Sequence, residues 1–83
     1  MSTNRAVSWA YAESFLVEDE HAEAARARGE SLGAVPVAPA VGGLLRTLAA
    51  AIGAHAVVEI GTGGGVSGLW LLAGMPAHGV LTT

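Results

Sequence analysis

Glu59 stands two residues ahead of Gly61, Gly63, Gly64 and Gly65 follow in close order, and Ser67 comes two residues after the last glycine. Glycine allows positive φ and close approach of the backbone to a ligand, at a conformational cost that a purely structural turn rarely accepts four times over. A ligand is the expected reason for the run. A carboxylate beside such a turn attracts a cationic group and repels an anionic one. The histidines offer no competing centre: His21, His55 and His78 lie on different predicted elements without the paired spacing of a zinc site, and read as surface residues.

The elements that must position these residues can be read around the turn. Ala56, Val57, Val58 and Ile60 form a short apolar, β-branched run. It predicts a strand ending at Ile60 and buried on both faces in a parallel sheet, with Glu59 at the carboxyl end, where α/β sheets bind ligands. Val66 through Ala73 recovers apolar character and predicts a helix whose unpaired N–H groups face the turn. Ser67 fits equally a cap of that helix and a cap that also contacts a ligand. Glu59 has a structural alternative, a carboxylate accepting from the turn's own N–H groups.

Three ligand classes use a strand, glycine turn and helix. A phosphate-binding P-loop needs a lysine and a hydroxyl residue after its last glycine, and Val66 and Ser67 stand there instead. A dinucleotide fingerprint, GxGxxG, is present in letters at Gly63, Gly65 and Gly68. Against it, Gly61 opens the turn, which sets a GxGxG spacing over Gly61, Gly63 and Gly65, and Glu59 would repel a pyrophosphate. A ligand with a cationic amino-acid end fits better.

Upstream lie three helices. Val7, Ala10, Tyr11, Ser14 and Phe15 mark a first helix that Ser2 or Thr3 could cap, with Trp9, Tyr11 and Phe15 expected as packing residues. A second spans Asp19 to Leu32, with acids at its start and Arg26 and Arg28 toward its end, an order that suits the helix dipole and predicts a solvated charged face. Gly33 to Pro39 is a break in which Pro36 and Pro39 bias Val35 and Ala38 toward extended backbone. A third helix from about Ala40 to Ile52 carries Val41, Leu44, Leu45, Leu48 and Ile52 on one stripe, expected against the sheet, and stops at Gly53. Gly79 to Thr83 predicts the opening of a second strand.

Composition narrows the function classes. Apolar residues make up 52% and charged residues 13%, a low charge content that predicts faces meant for partners outside the chain. A net charge of −3 with scattered arginines leaves no basic footprint for nucleic acid. There is no cysteine, no apolar run long enough for a membrane span and no signal-like amino terminus, so the expected location is the cytoplasm.

Glu59, Ile60, Gly61, Thr62, Gly63, Gly64 and Gly65 resemble motif I of class I methyltransferases that use S-adenosyl-L-methionine. Upstream, YAESFLVEDE at Tyr11 to Glu20 and ARARGESLGAVPVAPAVGGLL at Ala25 to Leu45 are similar to the front end of the caffeoyl-CoA and catechol O-methyltransferase family, especially its actinobacterial members. The resemblance runs from about Tyr11 to Thr83. It implies an α/β fold, the leading part of a Rossmann-like methyltransferase, with a helical segment and connecting loop over 1–38 and the start of the cofactor-binding domain over 39–83.

The resemblance implies cofactor contacts at Val37, through its backbone, and at Glu59, all near the methionine part. Gly61 and Thr62 would line the turn and Ser67 would hydrogen-bond at the start of the next helix. Gly42, Gly43, Leu44 and Leu45 depart from a Gly-Gln-Phe-Leu run carried by some relatives. The implied reaction moves a methyl group from S-adenosyl-L-methionine to a small-molecule acceptor hydroxyl, and the resemblance admits a divalent metal and a homodimer in the full-length enzyme. No carboxylate follows Glu59, so the ribose-binding acid, the catalytic residues and any metal ligands are expected beyond residue 83, and the chain is expected to be an amino-terminal fragment without activity of its own. Two other classes stay open at this stage: an NAD(P)-binding oxidoreductase fragment using Gly63, Gly65 and Gly68, and a non-catalytic interaction module.

Overall fold

Four helices and two strands follow one another in the computed structural model, which describes residues 2–83 and side chains from residue 4 onward. They are α1 (Ser2–Phe15), α2 (Glu20–Ser31), α3 (Pro39–Ala51), β1 (Ala56–Val58), α4 (Val66–Gly74) and β2 (Val80–Thr82). The cap expected from Ser2 or Thr3 falls on side chains outside the described ones. None of the described helices is long and apolar enough to cross a membrane.

Local chemistry accounts for the boundaries. Asp19 is extended and its carboxylate accepts from the Ala22 N–H at 2.8 Å, so α2 begins on a side-chain cap, with Glu20 and Glu23 in its first turn and Arg28 in its last. α3 starts on Pro39, whose missing N–H costs nothing there, and has no cap of its own. Glu13 of α1 supplies one instead, accepting from the Ala40 N–H at 3.0 Å and placing negative charge at the positive end of α3. Gly53, at φ 60°, follows the end of α3 in the left-handed region that favours glycine.

β1 and β2 pair in parallel, with Ala56 opposite Val80, Val57 opposite Leu81 and Val58 opposite Thr82. A parallel pair needs a crossover, and α4 provides it, so the second half of the chain is one βαβ unit of an α/β fold. This is the architecture expected for the leading part of a Rossmann-like methyltransferase. The strand expected to reach Ile60 ends at Val58, although the Glu59 N–H still donates to the Thr82 carbonyl at 2.8 Å. Nor is it buried on both faces: Val58 is 77% and Ile60 98% exposed, because β1 has one partner strand and no described layer covers these positions.

α3 also docks differently from expectation. It packs on α4, not on the sheet, and uses its small residues: Gly42 and Ala49 are buried, whereas Leu44, Leu48 and Ile52 stay exposed. The reason is the indole of Trp70. A Cβ at Gly42 would lie 2.3 Å from Trp70 Cδ1 and Nε1, and one at Gly74 would lie 2.1 Å from the Arg46 carbonyl oxygen, so the two helices approach where side chains are absent. Gly43, at the departure from the Gly-Gln-Phe-Leu run, makes room for Leu16, whose Cδ1 would sit 2.4 Å from an added Cβ. The buried apolar residues are Ala22, Ala25, Ala49, Val66, Trp70 and Met75, of which Ala25, Val66 and Trp70 form one cluster with Leu16, Val37 and Leu69 packed against it. Trp9, Tyr11 and Phe15 are not packing residues here; all three are more than half exposed. Tyr11 and Phe15, with ring centroids 5.7 Å apart, line an open apolar groove of about 410 Å³ between α1 and α3.

The charged face expected on α2 is only partly solvated. Glu18 accepts from Arg26 Nε and Nη2, both at 2.8 Å, and from Trp70 Nε1 at 2.9 Å, and its side chain is 8% exposed. The Arg26 guanidinium, helped by the indole N–H, holds the Glu18 carboxyl below its ordinary value of 4.5 against the opposing effect of burial. A lowered acid contributes stability that is full above that ordinary value and is lost as pH falls from there through the lowered folded value. The urea midpoint should therefore drop as pH falls below about 4.5, and Glu18→Gln should be less stable at pH 7 while losing less between pH 7 and pH 3. An equally steep acid decline in the variant would show that another group sets it.

Candidate functional site: the glycine turn and its cleft

The turn after β1 is built by three glycines with positive φ and a fourth that serves packing. Gly61, Gly63 and Gly65 have φ of 89°, 57° and 96°, so at these positions the backbone itself requires glycine. Gly64 has a different reason. An added Cβ there would lie 2.3 Å from the Ala25 carbonyl oxygen and 2.6 Å from the Gly29 nitrogen, so its backbone rests directly on α2. One of the four glycines is thus accounted for by helix contact and not by a ligand.

Gly65 then opens α4 as a left-handed N-cap with no side-chain capping bond. Ser67 is not the cap of this helix: its hydroxyl donates to Glu59 Oε2 instead. The turn amides do not satisfy Glu59 either. Its other oxygen, Oε1, accepts from the Thr83 hydroxyl at 3.0 Å, and the Thr62 and Thr83 hydroxyls are 3.0 Å apart. A half-buried carboxylate is therefore held by hydroxyls from α4 and from the end of β2.

Val37, Gly61, Thr62 and Ser67, four of the five residues expected at the site, line one cleft of about 180 Å³ between the 34–37 loop and the turn. Glu59, the fifth, does not line it. It sits behind Ser67 and borders a neighbouring pocket of about 190 Å³ together with Thr62 and Thr83. The loop wall is held from behind: Val37 packs on the core, and Pro36 Cγ lies 3.2 Å from the position of a Cβ on Gly29. Two hydroxyl residues, Thr62 and Ser67, line the cleft together with the start of α4, whose N-terminus has no side-chain cap. Such a surface suits a ligand end that carries both an ammonium and a carboxylate.

The dinucleotide alternative is only partly distinguished by glycine geometry. Gly68 lies inside α4, where an added Cβ would be 3.0 Å from Leu81 Cδ2, and close helix–strand packing of this kind is what the third glycine of that fingerprint also does. Glu59 beneath the turn disfavours a pyrophosphate, and Arg28, whose Nη2 donates to the Gly64 carbonyl at 3.5 Å, opposes that charge from the other side of the same pocket. Among the described residues no group of three or more His, Cys, Asp or Glu side chains could hold a metal ion. His55 and His78, separated in sequence, stack with ring centroids 5.1 Å apart.

Sequence reasoning missed Thr83, Glu13, Glu18 and the polar role of Trp70. Thr83 meets Glu59 because the parallel register that sets Val58 opposite Thr82 brings the next residues together, and no local pattern reveals that register. Glu13 and Glu18 act across 27 and 52 residues of chain, on Ala40 and Trp70.

The chain is similar to proteins of mycobacteria. It is 59% identical over 73 residues, 88% of its length, to a Mycobacteroides abscessus protein named "Putative O-methyltransferase", of which it covers 34%. To a Mycolicibacterium smegmatis protein of like name it is 58% identical over 73 residues, 88% of the chain and 35% of the relative. A Mycobacterium bovis "Putative O-methyltransferase" is 56% identical over 75 residues, 90% of the chain and 34% of the relative. The chain thus spans about a third of the length of these relatives. No protein-family model matches it.

The packing of α2 on the turn can be tested by stability. Gly63→Ala meets only Ala34 Cβ at 3.8 Å, so its cost should be that of positive φ, about 1 kcal/mol. Gly64→Ala must displace backbone of α2 and should cost more, about 2–3 kcal/mol by chemical denaturation. Equal costs would show that α2 does not set the position of the turn.

Proposed function

We propose that residues 34–67 form the methionine-side half of an S-adenosyl-L-methionine site, and that the protein is an O-methyltransferase moving a methyl group to an acceptor hydroxyl. The observation that carries this reading is the convergence of Val37, Gly61, Thr62 and Ser67 on one cleft, with the Glu59 carboxylate bonded behind Ser67. The relatives' names point to the same chemistry.

When bound, S-adenosyl-L-methionine supplies a methyl on a cationic sulfonium, open to displacement by an acceptor oxygen. The work of this chain is to bind and orient. Thr62 and Ser67 offer oxygens to the ammonium, and the first free N–H groups of α4 face the carboxylate. Glu59, one hydroxyl behind the cleft, adds negative charge that favours a cationic ligand over an anionic one. Val37 closes the side opposite the turn, and its anchoring on the core keeps the cleft narrow. A cleft of about 180 Å³ is below the ~300–1,000 Å³ usual for whole ligand sites, which fits one end of a ligand of this size. Fixing that end orients the reactive methyl, and positioning alone supplies much of the rate in such transfers.

Calorimetry on the complete protein tests the reading. It should bind S-adenosylhomocysteine and not NADH, and Glu59→Ala and Gly61→Val should each weaken binding by about tenfold or more, a cost of about 1.4 kcal/mol. Binding of NADH alone would reverse the assignment in favour of a dinucleotide.

A further inference from the structure

We propose that Thr83 is a positioning residue for the ligand's ammonium: its hydroxyl, between Thr62 and Glu59, fixes the proton order that leaves the cleft's two hydroxyls as acceptors. This rests on the reading of the cleft as the methionine side of an S-adenosyl-L-methionine site. A hydroxyl has one proton to donate and two lone pairs, while a carboxylate only accepts. Thr83 gives its proton to Glu59 Oε1, so in its 3.0 Å pair with Thr62 it is the acceptor and Thr62 the donor. Ser67 gives its proton to Glu59 Oε2. Both protons that Thr62 and Ser67 could offer are therefore committed toward Glu59. Both residues line the cleft, and their hydroxyls keep only lone pairs for a further partner, beside the backbone N–H donors at the start of α4. An ammonium, which has three donors and no acceptor, is the matched group. Thr83 itself does not line that cleft and acts through Thr62 and Glu59.

Without the Thr83 hydroxyl, Thr62 regains a free proton and Glu59 Oε1 loses a partner, while the backbone bond from the Glu59 N–H to the Thr82 carbonyl still holds the end of β2. Thr83→Val keeps a β-branched side chain of the same shape and removes only the polar group. Thr83→Ser retains it.

The test is calorimetric, on the complete protein, with S-adenosylhomocysteine and its analogue lacking the amino group. Thr83→Val should bind S-adenosylhomocysteine about tenfold more weakly than the wild type, and Thr83→Ser should stay within about twofold. The analogue should bind wild type and Thr83→Val alike. Thr62→Val provides a second variant with the same selective loss, should Thr83→Val fail to fold. An unchanged affinity for S-adenosylhomocysteine in Thr83→Val, or an equal loss for both ligands, would overturn the role of Thr83 and leave the site assignment standing. A wild type that binds neither ligand would overturn the site assignment, and this inference with it.

Discussion

Glu18 lies in the short link between α1 and α2, and its carboxylate joins the guanidinium of Arg26 on α2 to the indole N–H of Trp70 on α4. Those two helices carry the two sides of the glycine turn: α2 presses on Gly64 through Ala25 and Gly29, and α4 starts at Val66. Breaking one partner of a buried charged group leaves the others without compensation, so the three side chains stand or fall together. Trp70 extends the constraint to α3, because Gly42 leaves the space into which the indole fits. A single carboxylate thus sets how closely α2, α3 and α4 gather around the turn.

The cleft depends on that gathering more than on its own bonds. Its loop wall is anchored by Val37 on the core and by the close approach of Pro36 to Gly29, and its turn wall by Gly64 on the same helix. The two walls share α2 as a backing. The sheet contributes the rest: the parallel register of β1 and β2 brings Glu59 and Thr83 together, and α4 returns Ser67 to the same carboxylate. Elsewhere the molecule is open. Its accessible surface is 5616 Å², against about 4,600 Å² for a compact monomer of this mass, and much of the excess is apolar side chain on α1, α3 and the strand edges.

How far the sequence foretold this depended on the range of the interaction. The helix ends at Asp19 and Gly53, the positive-φ turn and the strand–turn–helix unit are consequences of residues a few positions apart and are legible, whereas Pro39, read as part of the break, is the first residue of α3. The convergence of Val37 with Gly61, Thr62 and Ser67 came through resemblance; no spacing rule links residue 37 to residue 61. The burial of β1 and the docking of α3 were misjudged because apolar stripes report which residues would favour burial, not what is present to bury them. α3 shows this most clearly, hiding Gly42 and Ala49 and leaving Leu48 exposed. Ser67 and Glu59, each with a plausible local bond, chose one another across the turn, and the Glu18 contact with Trp70 spans 52 residues.

A crystal structure of the complete protein with S-adenosylhomocysteine tests the central claim most directly. The ligand's amino nitrogen should lie against the hydroxyl oxygens of Thr62 and Ser67, and its carboxylate at the first free N–H groups of α4. A ligand whose amino-acid end points away from this cleft, or one bound elsewhere with the cleft empty, would contradict it.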